Sequence, residues 1–224
     1  MAGVAAMTPP VALSLSAMAL TAACAALAPL AACGGLWLAR ATDPALAGIR
    51  VGLRPSSVIL ASGLALGLAL AASPTTLAGF AICACLAGSA AADRDQLVLP
   101  DVLTLAACLL SLAFRPFAPF APRIELLGAG VALYLMMTGF ALAMRAWRGR
   151  AAFGQGDVKL IAGLGMVLPA GLIGPAVLAG AFSALAWACV PKRTGRHIAL
   201  GLHLVVGSGV ALGAAAAFPA LLGH

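Results

Sequence analysis

Long apolar segments follow one another along almost the whole chain, and they constrain its fold more than any other feature. A helix needs about 20 apolar residues to cross a bilayer, and only 8% of the 224 residues are charged. We therefore predict an all-α fold, a polytopic membrane protein of about eight transmembrane helices, with residues 1–224 as a single integral membrane domain. The sixth segment is short for a full crossing, which predicts a helix that is tilted or runs partly beside a cavity. The segments are 11–39, 56–73, 75–92, 101–114, 124–144, 158–168, 171–190 and 198–222.

The basic residues between these segments predict how the helices are oriented. When the loops are assigned alternately to the two sides of the membrane, two basic residues, Arg115 and Arg123, fall on one side and the other eleven of the 13 on the opposite side. Short loops rich in Lys and Arg stay in the cytoplasm, so the more basic side is predicted to be cytoplasmic and both termini external. The formal charge of +7 has the same explanation, and we predict no nucleic-acid binding. The eleven residues are Arg40, Arg50, Arg54, Arg94, Arg145, Arg148, Arg150, Lys159, Lys192, Arg193 and Arg196.

Cysteine and histidine form no recognisable ligand pattern. The six cysteines lie inside apolar segments without a CxxC pair, and the three histidines are scattered. Such cysteines behave as small buried hydrophobic residues rather than as a disulfide framework or a zinc site. We therefore predict neither a metal nor another cofactor.

Four of the six carboxylates fall in two short segments on the predicted cytoplasmic side. Residues 91–101, AADRDQLVLPD, contain Asp93, Asp95 and Asp101, and residues 153–160, FGQGDVKL, contain Asp157. Acidic residues at membrane depth are costly and usually mark a functional site. Ordinary interface charge, or an aspartate that caps a helix, explains the same residues, so composition alone leaves both interpretations open.

The two segments together carry a specific combination of motifs. The first has D-x(6)-P-D, ending at Pro100 and Asp101, and the second has GxGDxK, with Gly154, Gly156 and Lys159 around its aspartate. Two predicted spans separate the segments, so helices four and six have to come together if both segments act in one site. The combination resembles the type IV prepilin peptidase and archaeal preflagellin peptidase family of GxGD aspartic proteases.

This resemblance covers roughly residues 56–215, and residues 1–55 would add an N-terminal helix and a short cytoplasmic loop. It implies that Asp93 and Asp157 are catalytic and that the chain cleaves the leader from pilin-like precursors at the cytoplasmic face of a bacterial inner membrane. Two neighbouring carboxylates cannot both ionise easily, so they share a proton. One can then activate water while the other donates a proton.

The other motif residues are expected to support substrate binding or the motif itself, each with a plainer alternative. Asp95 and Asp101 would position the loop or the substrate, or be solvated interface charges. Lys159 would tune Asp157, or anchor the chain at the interface. Pro100 is expected to end the loop and start the next helix, and the supporting set is completed by Gly154 and Gly156.

The chain also departs from the larger members of that family. Bifunctional prepilin peptidases carry paired CxxC motifs in an N-terminal cytoplasmic region, whereas the 40–55 loop here is short and contains no cysteine. N-methylation is therefore not implied, and the chain resembles the short peptidases of tight-adherence (Flp-type) pilus systems. The expected partners are a prepilin substrate, the lipid bilayer and a pilus or secretion machinery. The segment 198–204, IALGLHL, lacks the Pro-Phe-Gly-Pro-like stretch frequent in the family.

Two other classes of function remain as alternatives. A small transporter or channel could use the same aspartates as a proton or cation relay, although such a site is more typical of the middle of the membrane. A catalytically silent scaffold of a pilus machine is the third interpretation, which the intact motifs disfavour.

Overall fold

A computed structural model of the chain describes residues 15–43, 46, 48–49, 51–72, 76–149, 154–189 and 198–217. Within these ranges it contains eight α-helices and no β-strand, which confirms the predicted all-α class. The predicted basic residues Arg50, Arg150, Lys192, Arg193 and Arg196 lie outside the described residues. The helices are α1 Leu15–Thr42, α2 Pro55–Ala72, α3 Leu77–Gln96, α4 Asp101–Phe114, α5 Arg123–Arg148, α6 Gln155–Val167, α7 Ala170–Ala188 and α8 Leu200–Ala217.

Five of these helices, α1, α3, α5, α7 and α8, are long and apolar enough to cross a membrane. The apolar helices α2 and α4 are shorter, and α6 has 13 residues. Together they confirm a multi-pass membrane protein. The short α6 begins beside a large cavity, which is one of the two expectations for the sixth segment.

Helix α3 lies at the centre of the bundle and packs against α1, α2, α4 and α8. Its buried side chains are mostly Ala, Gly, Ser and Cys, and small residues allow membrane helices to approach closely. The helix continues to Gln96, beyond the predicted end at 92. It is ended by Leu97, whose φ of 54° is left-handed and whose N–H donates to the carbonyl of Asp93 over 2.8 Å. Asp93 therefore lies on the last turns of α3.

Glycine permits a very close contact between α7 and α8. A Cβ added at Gly207 would lie 2.2 Å from the carbonyl oxygen of Ala176 and 2.5 Å from the amide nitrogen of Gly180. Both neighbours are backbone atoms of α7, so they cannot rotate away as a side chain would. The α7–α8 pair consequently depends on glycine at 207.

We expect Gly207→Ala to lower the free energy of unfolding by about 1–3 kcal/mol, because the added methyl group forces α7 and α8 apart. For a chain of this length the loss corresponds to several degrees in Tm, measured by thermal unfolding in detergent. Gly213→Ala, on the same helix, is the matched control, since its Cβ would make an ordinary 3.7 Å contact with Ala71. Equal Tm values for the two variants would contradict this account of the packing.

Candidate active site

The carboxylate of Asp93 is buried where the end of α3 meets the start of α8. Asp93 is only 5% exposed, and its Oδ2 accepts a hydrogen bond from the Leu202 N–H over 3.3 Å. The Gly201 N–H also interacts with this carboxylate. The first N–H groups of a helix lack intrahelical partners and carry partial positive charge. Asp93 thus completes the N-terminus of a helix that follows it by more than a hundred residues.

Asp157 occupies the first turn of α6. Its Oδ2 accepts a hydrogen bond of 3.2 Å from the N–H of Gly154, the residue that precedes the helix. Asp157 is therefore the third residue of α6, where a carboxylate commonly bonds back to the N-cap N–H. This contact fixes the side chain at the helix end without a partner from another helix.

The two carboxylates face the same cavity, although two helices separate them in the chain. The carboxylates are near enough to interact electrostatically. The cavity measures about 790 Å³ and is bounded by the last turns of α1 and α3, residues 97–99, and the first turns of α4 and α6. Helices α4 and α6 are in direct contact, as expected if both motif segments act in one site. A paired-carboxylate cavity of this kind can bind a water and move protons in both directions.

Asp95 does not face this cavity. Its Oδ2 accepts from the Arg54 N–H and its Oδ1 accepts from the Ser57 hydroxyl, both over 2.7 Å. Arg54 immediately precedes α2 and Ser57 lies in its first turn, so Asp95 binds the start of that helix from the end of α3. A structural role thus accounts for this carboxylate without any contact to substrate.

Asp101 and Lys159 form an ion pair between α4 and α6 at the mouth of the cavity. Their side chains are 65% and 41% exposed, so water weakens the attraction. Pro100 precedes the first residue of α4 and is fully buried, in agreement with its predicted role at the helix start.

The two glycines of the second motif have different surroundings. A Cβ at Gly156 would lie 3.0 Å from the Leu99 Cβ, so glycine lets α6 approach the segment 97–100 closely. A Cβ at Gly154 would lie 3.3 Å from Asp157 Oδ2. Both glycines line the cavity. The absence of a side chain leaves space next to Asp157 at Gly154 and next to Leu99 at Gly156.

Sequence reasoning missed two parts of the site. The donors to Asp93 are backbone N–H groups of α8, which the identity of the side chains does not reveal. Gly201 is the one residue type there that is consistent with a close contact. A Cβ there would lie 2.9 Å from Asp93 Oδ2. The last turns of α1, with Leu38, Ala39 and Thr42, form a wall of the cavity, and nothing in their apolar sequence indicates this.

The fold and the cavity define a class of protein: a helical membrane bundle that presents two aspartates, from different helices, to one recess. Residues 80–189 match the Type IV leader peptidase family. The match covers 110 of the 224 residues and includes both Asp93 and Asp157.

Curated relatives carry the name prepilin leader peptidase/N-methyltransferase. The protein from Burkholderia pseudomallei is 34% identical over 150 residues, which cover 65% of this chain and 48% of that protein. The protein from Neisseria gonorrhoeae is 31% identical over 132 residues, with 58% and 46% covered, and that from Klebsiella pneumoniae is 34% identical over 99 residues, with 44% and 43% covered. The chain spans about half the length of these relatives. No solved structure matches it.

Asp95 and Asp101, the other two acidic residues of the motif segments, are expected to differ in their effect on stability. Asp95→Ala removes the two carboxylate oxygens that accept hydrogen bonds from Arg54 and Ser57 at the start of α2. It should lower the free energy of unfolding by about 1–2 kcal/mol. Asp101→Ala breaks only an exposed ion pair and should cost about 0–1 kcal/mol. Thermal unfolding of both variants in the same detergent measures the difference, and a larger loss for Asp101→Ala would contradict these roles.

Proposed function

We propose that the protein is an aspartic endopeptidase that removes the leader peptide from prepilin-like precursors, with Asp93 and Asp157 as its catalytic pair. One observation carries the proposal: these two aspartates of the family motifs, from α3 and α6, face a common cavity. Among the described residues, neither aspartate forms a salt bridge; Lys159 pairs with Asp101 instead. The names of the curated relatives support the same reaction.

The reaction follows from the shared proton of two neighbouring carboxylates. The ionised carboxylate takes a proton from water as the water oxygen attacks the carbonyl carbon of the scissile bond. The protonated carboxylic acid gives its proton to the carbonyl oxygen. Proton transfer to the amide nitrogen then allows the C–N bond to break, which releases an amine and a carboxylic acid. Backbone N–H donors from α8 and from Gly154 hold both carboxylates in place throughout.

The position of the cavity suits a substrate that is already in the membrane. It lies where α3 ends and α4 and α6 begin, so it opens at the ends of the helices rather than halfway along them. Leu38 of α1 and Leu105 of α4 line its apolar part. A precursor with an apolar helix in the bilayer would therefore present its scissile bond at this boundary. Basic loops at the same end favour the cytoplasmic side of an inner membrane.

A short form without methyltransferase activity, as in Flp-type systems, is the finer part of the proposal. The segment 40–55 has no cysteine, whereas bifunctional members of the family are expected to use CxxC pairs in this region. We accordingly propose that the mature product leaves this protein with an unmodified N-terminus.

The catalytic pair is tested by replacing each carboxylate with the amide of the same shape. Asp93→Asn and Asp157→Asn should each lower the rate of precursor cleavage at least about 100-fold, because proton transfer needs both groups. The double variant should be little slower than either single one, as for residues that act as a unit. The assay uses the purified chain in detergent with a pilin precursor.

Glu125→Gln is the matched control. Glu125 is exposed on the first turn of α5, so the substitution removes one carboxylate without changing the cavity. It should cleave at the normal rate. Near-normal cleavage by either single aspartate variant would refute the pair. Absence of cleavage by the unaltered chain would instead favour the transporter or scaffold alternatives.

The substrate part of the proposal concerns the residue before the cut. A glycine there should be cleaved fastest, because Gly154 and Gly156 carry no side chains and let an extended substrate backbone approach, and a glycine before the cut presents the least obstruction. Replacing that glycine of the precursor by valine should slow cleavage strongly, while removing the distant C-terminal part of the precursor should have little effect. Mass spectrometry of the product decides: equal cleavage of the valine precursor, or a methylated N-terminus made by this protein alone, would contradict the proposal.

A further inference from the structure

A second, smaller cavity lies on the other side of α6, between α6 and α5. It measures about 160 Å³. Its wall on α5 is formed by Tyr134, Thr138, Ala141, Leu142 and Arg145, and its wall on α6 by Gln155, Val158 and Lys159. The proposed peptidase reaction uses none of the α5 residues.

The charged end of this cavity is cationic. Arg145 and Lys159 both line it, and none of the carboxylates in the described part of the chain does. Among the residues that the structure describes, the Arg145 guanidinium has neither an ion pair nor a side-chain hydrogen bond. Lys159 also borders the large cavity, where it pairs with Asp101. The small cavity therefore offers the unneutralised guanidinium of Arg145, whereas the ammonium group of Lys159 is already paired with Asp101.

The cavity is amphipathic along the axis of α5. Arg145 follows Tyr134 by eleven positions, so about 16 Å of helix separates the cationic end from the aromatic end. Between them lie Leu142 and, on α6, Val158. A ligand that fills this space has an anionic group at one end and an apolar body at the other.

Helix α5 places this cavity against lipid. Only 11% of the most apolar stretch of α5 is buried inside the bundle, and Leu135 and Met136 are 64% and 59% exposed. Just beyond Arg145, Trp147 is 75% exposed and the Arg148 guanidinium lies 5.1 Å from its ring centroid. Exposed Trp and Arg side chains at a helix end are typical of the headgroup level of a membrane. The cationic end of the cavity thus lies at headgroup level, and its apolar end points toward the acyl chains.

We propose that the α5–α6 cavity is a binding site for one anionic phospholipid, whose phosphate is held by Arg145, with Gln155 as a further polar partner. One acyl chain would lie along Leu142 and Tyr134. Basic pockets between transmembrane helices on the cytoplasmic side suit such headgroups. The proposal goes beyond leader cleavage and does not depend on it.

The test measures lipid binding to the full chain by native mass spectrometry in detergent. Phosphatidylglycerol and phosphatidylcholine with the same acyl chains are titrated separately. The unaltered chain should retain phosphatidylglycerol preferentially. Arg145→Gln should weaken phosphatidylglycerol binding roughly fivefold, the worth of one basic residue near an anionic headgroup, and leave phosphatidylcholine binding unchanged. Arg145→Lys should retain most of the affinity because it keeps the charge.

Arg148→Gln is the matched control, since it removes the same charge from the same helix turn but lies outside the cavity. It should bind phosphatidylglycerol like the unaltered chain. An equal loss in Arg145→Gln and Arg148→Gln, or equal retention of the two lipids by the unaltered chain, would overturn the proposal. Displacement of the lipid by millimolar glycerol phosphate would show a site for free phosphate and would overturn it also. Because the readout is lipid binding, failure of the peptidase proposal leaves this result interpretable.

Discussion

Carboxylates that complete helix N-termini hold one end of this bundle together. The last two turns of α3 supply two of them: Asp93 accepts N–H groups of α8, and Asp95 accepts the N–H and hydroxyl groups at the start of α2. Asp157 does the same for its own helix. First-turn N–H groups have no partner within a helix, and those that are buried need an acceptor from elsewhere in the protein. The contact that ties the start of α8 to the end of α3 therefore also orients Asp93 in the site.

The cavity results from this arrangement of helix ends. Small residues on α3 let four helices approach it, and Gly156 lets the start of α6 reach Leu99. The segment 97–100 then turns away after the left-handed Leu97, which leaves a recess between α1, α4 and α6. A tight bundle and an open recess are compatible because the recess lies beyond the end of α3 rather than inside the packed layer.

Much of this could be predicted from the sequence. The apolar segments give the helices to within a few residues because length and hydropathy decide what crosses a membrane. The motifs around Asp93 and Asp157 singled out two residues that the structure brings to one cavity, although their catalytic roles stay a prediction. The apolar segment ends four residues before α3 does, because the polar residues from Asp93 onward indicate a loop until their partners on α2 and α8 are known. The donors to Asp93 could not be found at all, since a backbone N–H looks the same at every position.

The position of Asp93 has a consequence for how this sequence can evolve. Its side chain is both a proposed participant in proton transfer and an acceptor for the start of α8, whereas Asp157 bonds only within its own helix turn. A descendant that lost its enzymatic role would be free to change residue 157 but would still need a hydrogen-bond acceptor at 93. An aspartate or asparagine retained at this position is therefore weak evidence of activity in a distant relative. Retention of an acid at 157 is the more informative sign.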